Sequence, residues 1–373
     1  MNNLLIITKN VETNAGIGRY SFEVVRALFE QGYVATILVE RNSVCNAVPN
    51  EISIHAVLYP PHSFFSLFRN IIISRRYARK YKMVHALDGW PFAIYGYAAV
   101  VGSSKRLFIS ALGSYAVAPL SYIAKRLLLV RAYRRAQRIF CISAYTQSRL
   151  LKIVSLTNTN VVPLATSTLK ILSKSDADEI VRHYGIVAQT PVFLTVGQIK
   201  ERKGQLDTLK ALNLLKRHHP NFLYVMIGSG EEKGYIGLIH AYMKEQRLQK
   251  NVLLIMDSRD DSVPAFFYSR CDVFLLNANS EKSHFEGFGL VILEAAQYGR
   301  PSIGSRGSGI EDAIKDGYNG FLTGQKEYQE IAAKIEIILK DYARFSENAR
   351  EFASRFSWRN TVDNYILDYN SSL

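Results

Sequence analysis

Leu4-Leu-Ile-Ile-Thr8 opens with a short apolar run, and a polar loop separates it from Gly16-Ile-Gly-Arg-Tyr20. The residues at 21–30 follow, then Gly32, then an apolar run at 34–39 closed by Glu40. The first run reads as a buried strand. Phe22, Val25, Leu28 and Phe29 recur at helical spacing and share one face. Gly32 is a natural helix stop, because glycine accepts the left-handed conformation there. Strand, helix and strand in that order form a β-α-β unit and predict a parallel sheet. Gly16-x-Gly18 with an acid at Glu40 invites a dinucleotide reading. Against it, several polar residues precede Gly16, and Ser21 stands where a third glycine belongs. The spacing instead predicts a looser glycine loop whose backbone faces a cleft between domains.

The same alternation continues. Runs at 83–88, 107–111, 138–143 and 161–164 read as further strands, and Ser143 caps a helix over 144–151. A polar stretch at 166–190 marks a boundary near 165–170, and a second alternation begins at 192–196. Strands are expected at 223–227, 252–255, 272–276, 301–303 and 317–322, with helices at 206–217, 236–245, 263–269 and 328–340. The expected fold is α/β, with two Rossmann-like doubly wound domains facing a cleft. Residues 1–168 form the first and 169–350 the second, and 351–373 are set apart as a terminal helix. Ligands belong at the strand C-termini that face the cleft.

Three cysteines, Cys45, Cys141 and Cys271, are odd in number and lack metal-ligand spacing, which points to a reducing compartment. The start reads as a first strand rather than a signal peptide, and no apolar run is long enough to span a bilayer. Net charge is +14, and its placement is uneven. Residues 1–168 hold 20 Lys+Arg and 6 Asp+Glu, so 46 − 20 = 26 basic and 32 − 6 = 26 acidic residues remain for 169–373. A basic half beside a neutral one directs the first at a polyanion: a membrane surface, a phosphorylated substrate or nucleic acid.

Two segments concentrate that charge. Residues 63–82 open with Phe64, Phe65 and Phe68 and carry Arg69, Arg75, Arg76, Arg79, Lys80 and Lys82. Residues 120–138 place Lys125, Arg126, Arg131, Arg134, Arg135 and Arg138 around Leu127-Leu-Leu-Val130. Both read as helices suited to an anionic bilayer, where each basic residue contributes about 1 kcal/mol. An amphipathic domain helix with a solvated basic face has the same pattern. His85 and Asp88 end a strand, where a ligand could sit, although a lone histidine is more often structural.

The stretch Glu286-Gly-Phe-Gly-Leu-Val-Ile-Leu-Glu294 concentrates chemistry. Gly287 and Gly289 let the backbone approach a ligand, and a helix opening at Leu290 would aim unpaired N–H groups at an anion. Glu294, about one turn inside, could accept hydrogen bonds from ribose hydroxyls, and Glu286 could reach the ligand from the loop. A tight turn with two ordinary glutamates is the plainer reading. Arg202 and Lys203, after the second half's first strand, add positive charge suited to a diphosphate. There is no P-loop sequence and no metal-ligand spacing.

Taken together, these segments resemble retaining glycosyltransferases of the GT-B fold, in family 4 of group 1, of the bacterial surface-polysaccharide type. Gly16-Ile-Gly-Arg-Tyr20 is similar to that family's N-terminal glycine loop, and Thr195-Val-Gly-Gln-Ile-Lys-Glu-Arg-Lys-Gly204 to its phosphate loop. Glu286-Gly-Phe-Gly with Glu294 is similar to its paired-glutamate signature. Gly299-Arg-Pro-Ser-Ile-Gly, Asp316-Gly-Tyr-Asn-Gly-Phe-Leu322 and Phe356-Ser-Trp358 continue the likeness.

The resemblance implies a hexosyltransferase. Gly197, Arg202 and Lys203 would meet the donor's phosphates, as would Gly287, Phe288, Gly289 and Leu290 through backbone N–H groups. Glu294 would hold the ribose, Glu286 would sit beside the donor sugar with Lys203 as its catalytic partner, and Gly16 and Gly18 would approach the reacting centre. It also implies a terminal helix crossing back onto the N-terminal domain. Departures are Gln198 where the family often has Arg, Ala111 and Leu112 where a His is common, and Pro163-Leu-Ala where Pro-Asn-Gly is usual.

The expected protein moves a sugar from a nucleoside diphosphate, with UDP favoured, to a lipid-linked or growing glycan. No cofactor or metal is implied, and no nucleic acid is expected. Its place would be cytoplasmic, peripheral on the inner face of the cell membrane. A non-catalytic nucleotide-sugar or polyanion binder of the same fold is the alternative. A nucleic-acid binder is a weaker one, since no recognition motif appears.

Overall fold

The computed structural model describes residues 4–13, 16–43, 45, 48–167, 169–256, 258, 261–281 and 283–371. The chain folds as two compact units, Met1–Ala165 with Ser357–Leu373, and Thr166–Phe356. The first unit therefore ends slightly before 168. The second runs past 350, because the helix there packs through Ala349 and Ala353 against Ala296.

The first unit is built on a seven-stranded sheet: β1 (Leu4–Ile7), β2 (Ala35–Glu40), β3 (Ser53–Leu58), β4 (Met83–Ala86), β5 (Arg106–Ala111), β6 (Arg138–Cys141) and β7 (Thr159–Val161). Its order is β3-β2-β1-β4-β5-β6-β7, with every pairing parallel. All four residues of β1 and of β4 are buried, so neither strand has a solvent-exposed face; β1 reads as an unbroken apolar run, and β4 carries one polar residue, His85. Crossovers are carried by α1 (Gly16–Glu30), α2 (Phe64–Ala78), α3 (Phe92–Val100), α4 (Ser114–Val117), α5 (Ile123–Arg135) and α6 (Ala144–Leu151).

The expected glycine loop is a correction. Gly16 and Gly18 belong to the first turn of α1, which opens at Gly16 in the left-handed region at φ +58. Glu12 N–H donates to Gly18 O at 3.2 Å, and a Cβ on Gly18 would strike the Glu12 side chain. The second glycine thus admits a neighbouring segment of its own unit.

Helix α2 begins at a reciprocal cap: Ser66 N–H donates to Ser63 Oγ at 3.1 Å, and Ser63 N–H donates to Ser66 Oγ at 3.2 Å. Phe64 is 85% and Phe65 67% exposed, and Phe68 and Ile72 are also exposed. The second basic segment forms α5 over a shorter span than expected. Arg138 instead opens β6 and pairs with Asp368 at 2.9 Å. Ile123, at the start of α5, is 81% exposed, with Tyr122 and Leu127 exposed beside it in sequence. From residue 52 to residue 175 the chain contains one acidic side chain, Asp88, and it is buried. Asp88 accepts from Gly89 N–H at 2.6 Å, and burial holds its carboxyl well above the usual range. This stretch therefore carries no exposed carboxylate of its own to offset its arginines and lysines, although Asp368, from the end of the chain, pairs with Arg138.

The second unit has a six-stranded parallel sheet: β8 (Val192–Val196), β9 (Leu223–Ile227), β10 (Val252–Ile255), β11 (Val273–Leu276), β12 (Ser302–Ser305) and β13 (Gly320–Thr323). Its order is β10-β9-β8-β11-β12-β13, so the order reverses beside β8. Its helices are α7 (Lys174–Tyr184), α8 (Gln205–Leu215), α9 (Lys233–Glu245), α10 (Ser262–Tyr268), α11 (Leu290–Gln297), α12 (Tyr328–Lys340) and α13 (Tyr342–Ser354). Phe193, Tyr224, Met226, Leu275 and Ile303 form a core with Leu209, Leu212, Ile331 and Ile335.

The chain closes with α14 (Trp358–Asn370), which belongs to the first unit. Its anchor is polar and fully buried. Tyr369 OH lies 2.5 Å from His85 Nδ1, and His85 Nε2 lies 3.0 Å from Ser110 Oγ. Tyr20 OH donates to Ser110 Oγ at 2.7 Å and meets Tyr365 OH at 2.9 Å. Burial lowers the His85 pKa to about 3, so the ring is neutral. His85 is thus a core residue fastening α14, rather than a ligand contact.

Replacing Tyr369 with Phe would leave a buried ring nitrogen unpaired, at about 1–3 kcal/mol. Urea unfolding of Tyr369→Phe should show a lower midpoint at an unchanged slope.

Candidate functional site

The site is assembled where β8 and β11 end. Beyond Val196 the chain turns through Gly197, whose N–H donates to Ile227 O at 2.8 Å, and Ile199 N–H donates to Ser229 O at 2.8 Å. A short 3₁₀ turn, Glu201–Lys203, then leads to Gly204 and α8. Gly204 is left-handed at φ +71, and a Cβ there would sit 1.9 Å from Asn277 O. Glycine is thus required twice over, by conformation and by space. Asn279 N–H donates to Arg202 O at 2.8 Å, which seats the segment after β11 on this loop.

That contact delivers Glu286. Arg202 Nη1 donates to Glu286 Oε2 at 3.0 Å, and Lys203 Nζ donates to the same oxygen at 2.8 Å. The Glu286 side chain is 14% exposed. Burial alone would raise its pKa, but Lys203 and Arg202 outweigh that and bring it down to about 2. Glu286 is therefore an ionised, weakly basic carboxylate at neutral pH. Its own carbonyl accepts from Gly309 N–H at 2.8 Å. A Cβ on Gly309 would lie 2.0 Å from Gly287 O, so a second backbone is packed against this turn.

Gly289, at φ +82, is the residue before α11 and offers no side-chain cap. Backbone N–H groups at Leu290 and beyond open the helix, as the sequence suggests. Phe288 is buried, its ring 6.1 Å from that of Phe356. Glu294 lies one turn inside α11, where Tyr268 OH donates to its Oε2 at 2.9 Å. Tyr268 in turn stacks on Tyr298 at 5.7 Å.

The structure thus brings Arg202, Lys203 and Glu286 into direct contact. Gly197 lies beside them: a Cβ there would meet Lys203 Nζ at 3.7 Å. Gly287, Phe288, Gly289, Leu290 and Glu294 continue from Glu286 into α11. Gly16 and Gly18 lie in α1 of the other unit. Two neighbours escape a sequence reading. Tyr268 is 26 residues from Glu294, with no periodicity to link them. Lys200 looks like one more charge on a basic loop, yet its Nζ is held 2.6 Å from Gln198 Oε1. Ala111 and Leu112, where an acceptor-side histidine is common in the similar family, are both buried. Among the described residues no three His, Cys, Asp or Glu side chains are grouped to hold a metal ion.

Comparison with known proteins bears on the family and the fold. Residues 176–352 match the family model for Glycosyl transferases group 1. Glycogen synthase of Mycobacterium tuberculosis is 29% identical over 171 residues, covering 45% of this chain and 39% of that protein. The chain therefore aligns with well under two thirds of the length of such relatives. A GDP-mannose-dependent alpha-(1-6)-phosphatidylinositol monomannoside mannosyltransferase of Mycolicibacterium smegmatis is 23% identical over 260 residues, covering 68% of this chain and 66% of that one. Among solved structures, Anabaena HepE in complex with UDP and glucose superposes with a TM-score of 0.79 at 19% identity over all of both chains. The shared architecture is the GT-B fold.

The low pKa of Glu286 links it to stability. Its contribution is complete above the unfolded value of 4.5 and is lost as pH falls through about 2. The stability gap between wild type and Glu286→Gln should be flat near neutrality and narrow as pH falls below 4.5. Urea melts in a pH series measure it, and a gap that widened with acid would contradict the assignment.

Proposed function

We propose that this chain, whose residues 176–352 match the model for Glycosyl transferases group 1, transfers a hexosyl group from a nucleoside-diphosphate sugar. The observation carrying this reading is the convergence of Arg202 and Lys203 on Glu286, immediately before the glycine turn that opens α11. The diphosphate lies against Arg202, Lys203 and the backbone of residues 287–290, and Glu294 accepts from the ribose. The two cations stabilise the departing nucleoside diphosphate as charge develops on it. An acceptor hydroxyl attacks from the face that the diphosphate leaves, so configuration is retained. Glu286 has too low a pKa to be an effective general base; its part is to orient the cations and the donor sugar.

UDP is the proposed nucleoside diphosphate of the donor, supported by the UDP held by the Anabaena protein of the same fold. GDP is the comparison to run, because the mycolicibacterial relative is GDP-mannose-dependent. The acceptor is a lipid-linked or growing glycan taken by the first unit. Neither a metal nor another cofactor is part of this reading. The protein works on the inner face of the cell membrane as a peripheral protein. Among the described residues no helix is long and apolar enough to cross a bilayer. Support for surface binding comes from exposed Phe64, Phe65, Phe68 and Ile72 on a helix with Arg69, Arg75 and Arg76, in a stretch with no exposed carboxylate.

Titration with UDP-glucose and GDP-mannose, followed by transfer assays, tests the donor. Glu294→Ala removes hydrogen bonds to a charged acceptor, worth about 1.5–3 kcal/mol, and should weaken donor binding roughly 10- to 100-fold. Failure of the wild type to bind any nucleotide sugar would sink the proposal. Binding without transfer to any lipid or glycan acceptor would favour a non-catalytic binder. Separately, sedimentation with phosphatidylglycerol vesicles should carry the wild type down. Phe64→Ser/Phe65→Ser should weaken it by about tenfold or more, since burying each Phe is worth roughly 1.5–3 kcal/mol. Equal binding to purely zwitterionic vesicles would argue against the charge-based attachment.

A further inference from the structure

The diphosphate of a nucleotide sugar carries two negative charges. Arg202 and Lys203 both spend their interaction on one oxygen of Glu286, at 3.0 and 2.8 Å. Taken with that carboxylate, the pair retains one net positive charge. Gln198, next to Gly197 beyond the end of β8, is itself uncharged. Lys200 lies two residues on, and its ammonium donates to Gln198 Oε1 at 2.6 Å.

The loop geometry brings Lys200 back toward its own start. Lys203 N–H donates to Lys200 O at 2.8 Å, closing the turn, and Gln205 Nε2 donates to Gln198 O at 2.9 Å. Gln198 is thereby anchored by its backbone while its side-chain amide oxygen holds the lysine. Gln198 is exposed, and Lys200 is half-buried. We infer that Lys200 supplies the second positive charge for the donor's diphosphate, with Gln198 holding its ammonium in place.

The electrostatic surroundings fit an awaited anion. Burial, then Arg202 and Lys203, lower the Lys200 pKa, while Glu232 and Glu286 act in the opposite sense. Glu232 is already engaged, since its Oε2 accepts from Glu201 N–H at 3.1 Å. An arriving phosphate oxygen replaces a neutral amide acceptor with an anionic one, which adds Coulomb attraction to the Lys200 ammonium in a partly buried place. Exchange of the Gln198 oxygen for phosphate therefore favours the bound state.

This inference rests on the reading of residues 197–204 as a donor diphosphate site, and the test separates the two. Calorimetric titrations would use UDP, GDP, UMP and uridine as probes on wild type, Lys200→Met, Lys200→Arg and Lys200→Met/Gln198→Arg. Loss of one charge-assisted contact predicts about tenfold weaker nucleoside-diphosphate binding in Lys200→Met, with uridine binding unchanged. Lys200→Arg should stay near wild type, and arginine at 198 should restore most of the loss in the double variant. Thermal melts confirm that each variant is folded. If Lys200→Met binds UDP and GDP as tightly as wild type, or loses uridine in parallel with them, the inference is overturned while the donor reading stands. If wild type binds neither diphosphate, both fall together.

Discussion

A carboxylate held by two cations on a single oxygen organises the second unit. Removing a carboxylate from water costs several kcal/mol unless its partners are close and well aligned. Glu286 meets that condition only because Arg202 and Lys203 arrive from a different loop at 3.0 and 2.8 Å. The demand propagates through the backbone. Gly204 must be glycine for the loop to pass Asn277, and Gly309 must be glycine for its chain to pass Gly287. Each close approach brings one loop at the C-terminal edge of the sheet onto the next. The result is a rigid arrangement of charge and backbone N–H groups, with little reorganisation left for a ligand to bring about.

The first unit solves a different problem with neutral groups. Its terminal helix has to be attached to a sheet of seven parallel strands, and the attachment runs through His85, Ser110, Tyr20, Tyr365 and Tyr369. Every one of these side chains is buried, so each hydrogen bond replaces water that cannot reach it. Phe108 and Phe140 pack around the same tyrosines, with ring centroids at 4.8 Å to Tyr369 and 4.4 Å to Tyr365. Apolar packing supplies most of the adhesion, and the hydroxyls and imidazole set the register of α14.

The parallel sheets were legible where strands such as β1 and β11 are buried along their whole length and appear as unbroken apolar runs. Residues 328–340 were legible as a helix because Ile331, Ile335 and Ile338 follow helical spacing onto one buried face. The helix at Leu290 announced itself through the glycine before it, and the structure puts that glycine in the left-handed region. Four features were hidden, each for its own reason. Gly16 and Gly18 signal a loop by propensity, but α1 extends across both, and Gly18 packs against Glu12, whose N–H donates to its carbonyl. Helix α3 is buried almost all round, which leaves no polar face to mark a period. Helix α7 buries only Ile180, so it looks like a linker although Ser173 caps it at Asp176 N–H. The His85–Tyr369 contact joins residues 284 apart, beyond any local pattern.

Charge is used in two distinct physical regimes along this chain. Over residues 169–373 basic and acidic residues balance at 26 each, and the charges at Glu286 act over about 3 Å in a site that water barely enters. Mobile ions screen such a contact weakly. Over residues 52–175 the basic side chains have no exposed carboxylate among them, so they act on any partner through a summed field. That field fades over a Debye length of about 8 Å at physiological ionic strength. Salt should therefore loosen what the first unit captures while leaving the Arg202–Lys203–Glu286 contact largely intact. Under the proposed function, a chain that finds a dispersed anionic surface and then holds one small charged ligand would use both regimes. The exposed phenylalanines of α2 would then add an apolar part to the surface encounter, because apolar burial persists when salt has removed the field.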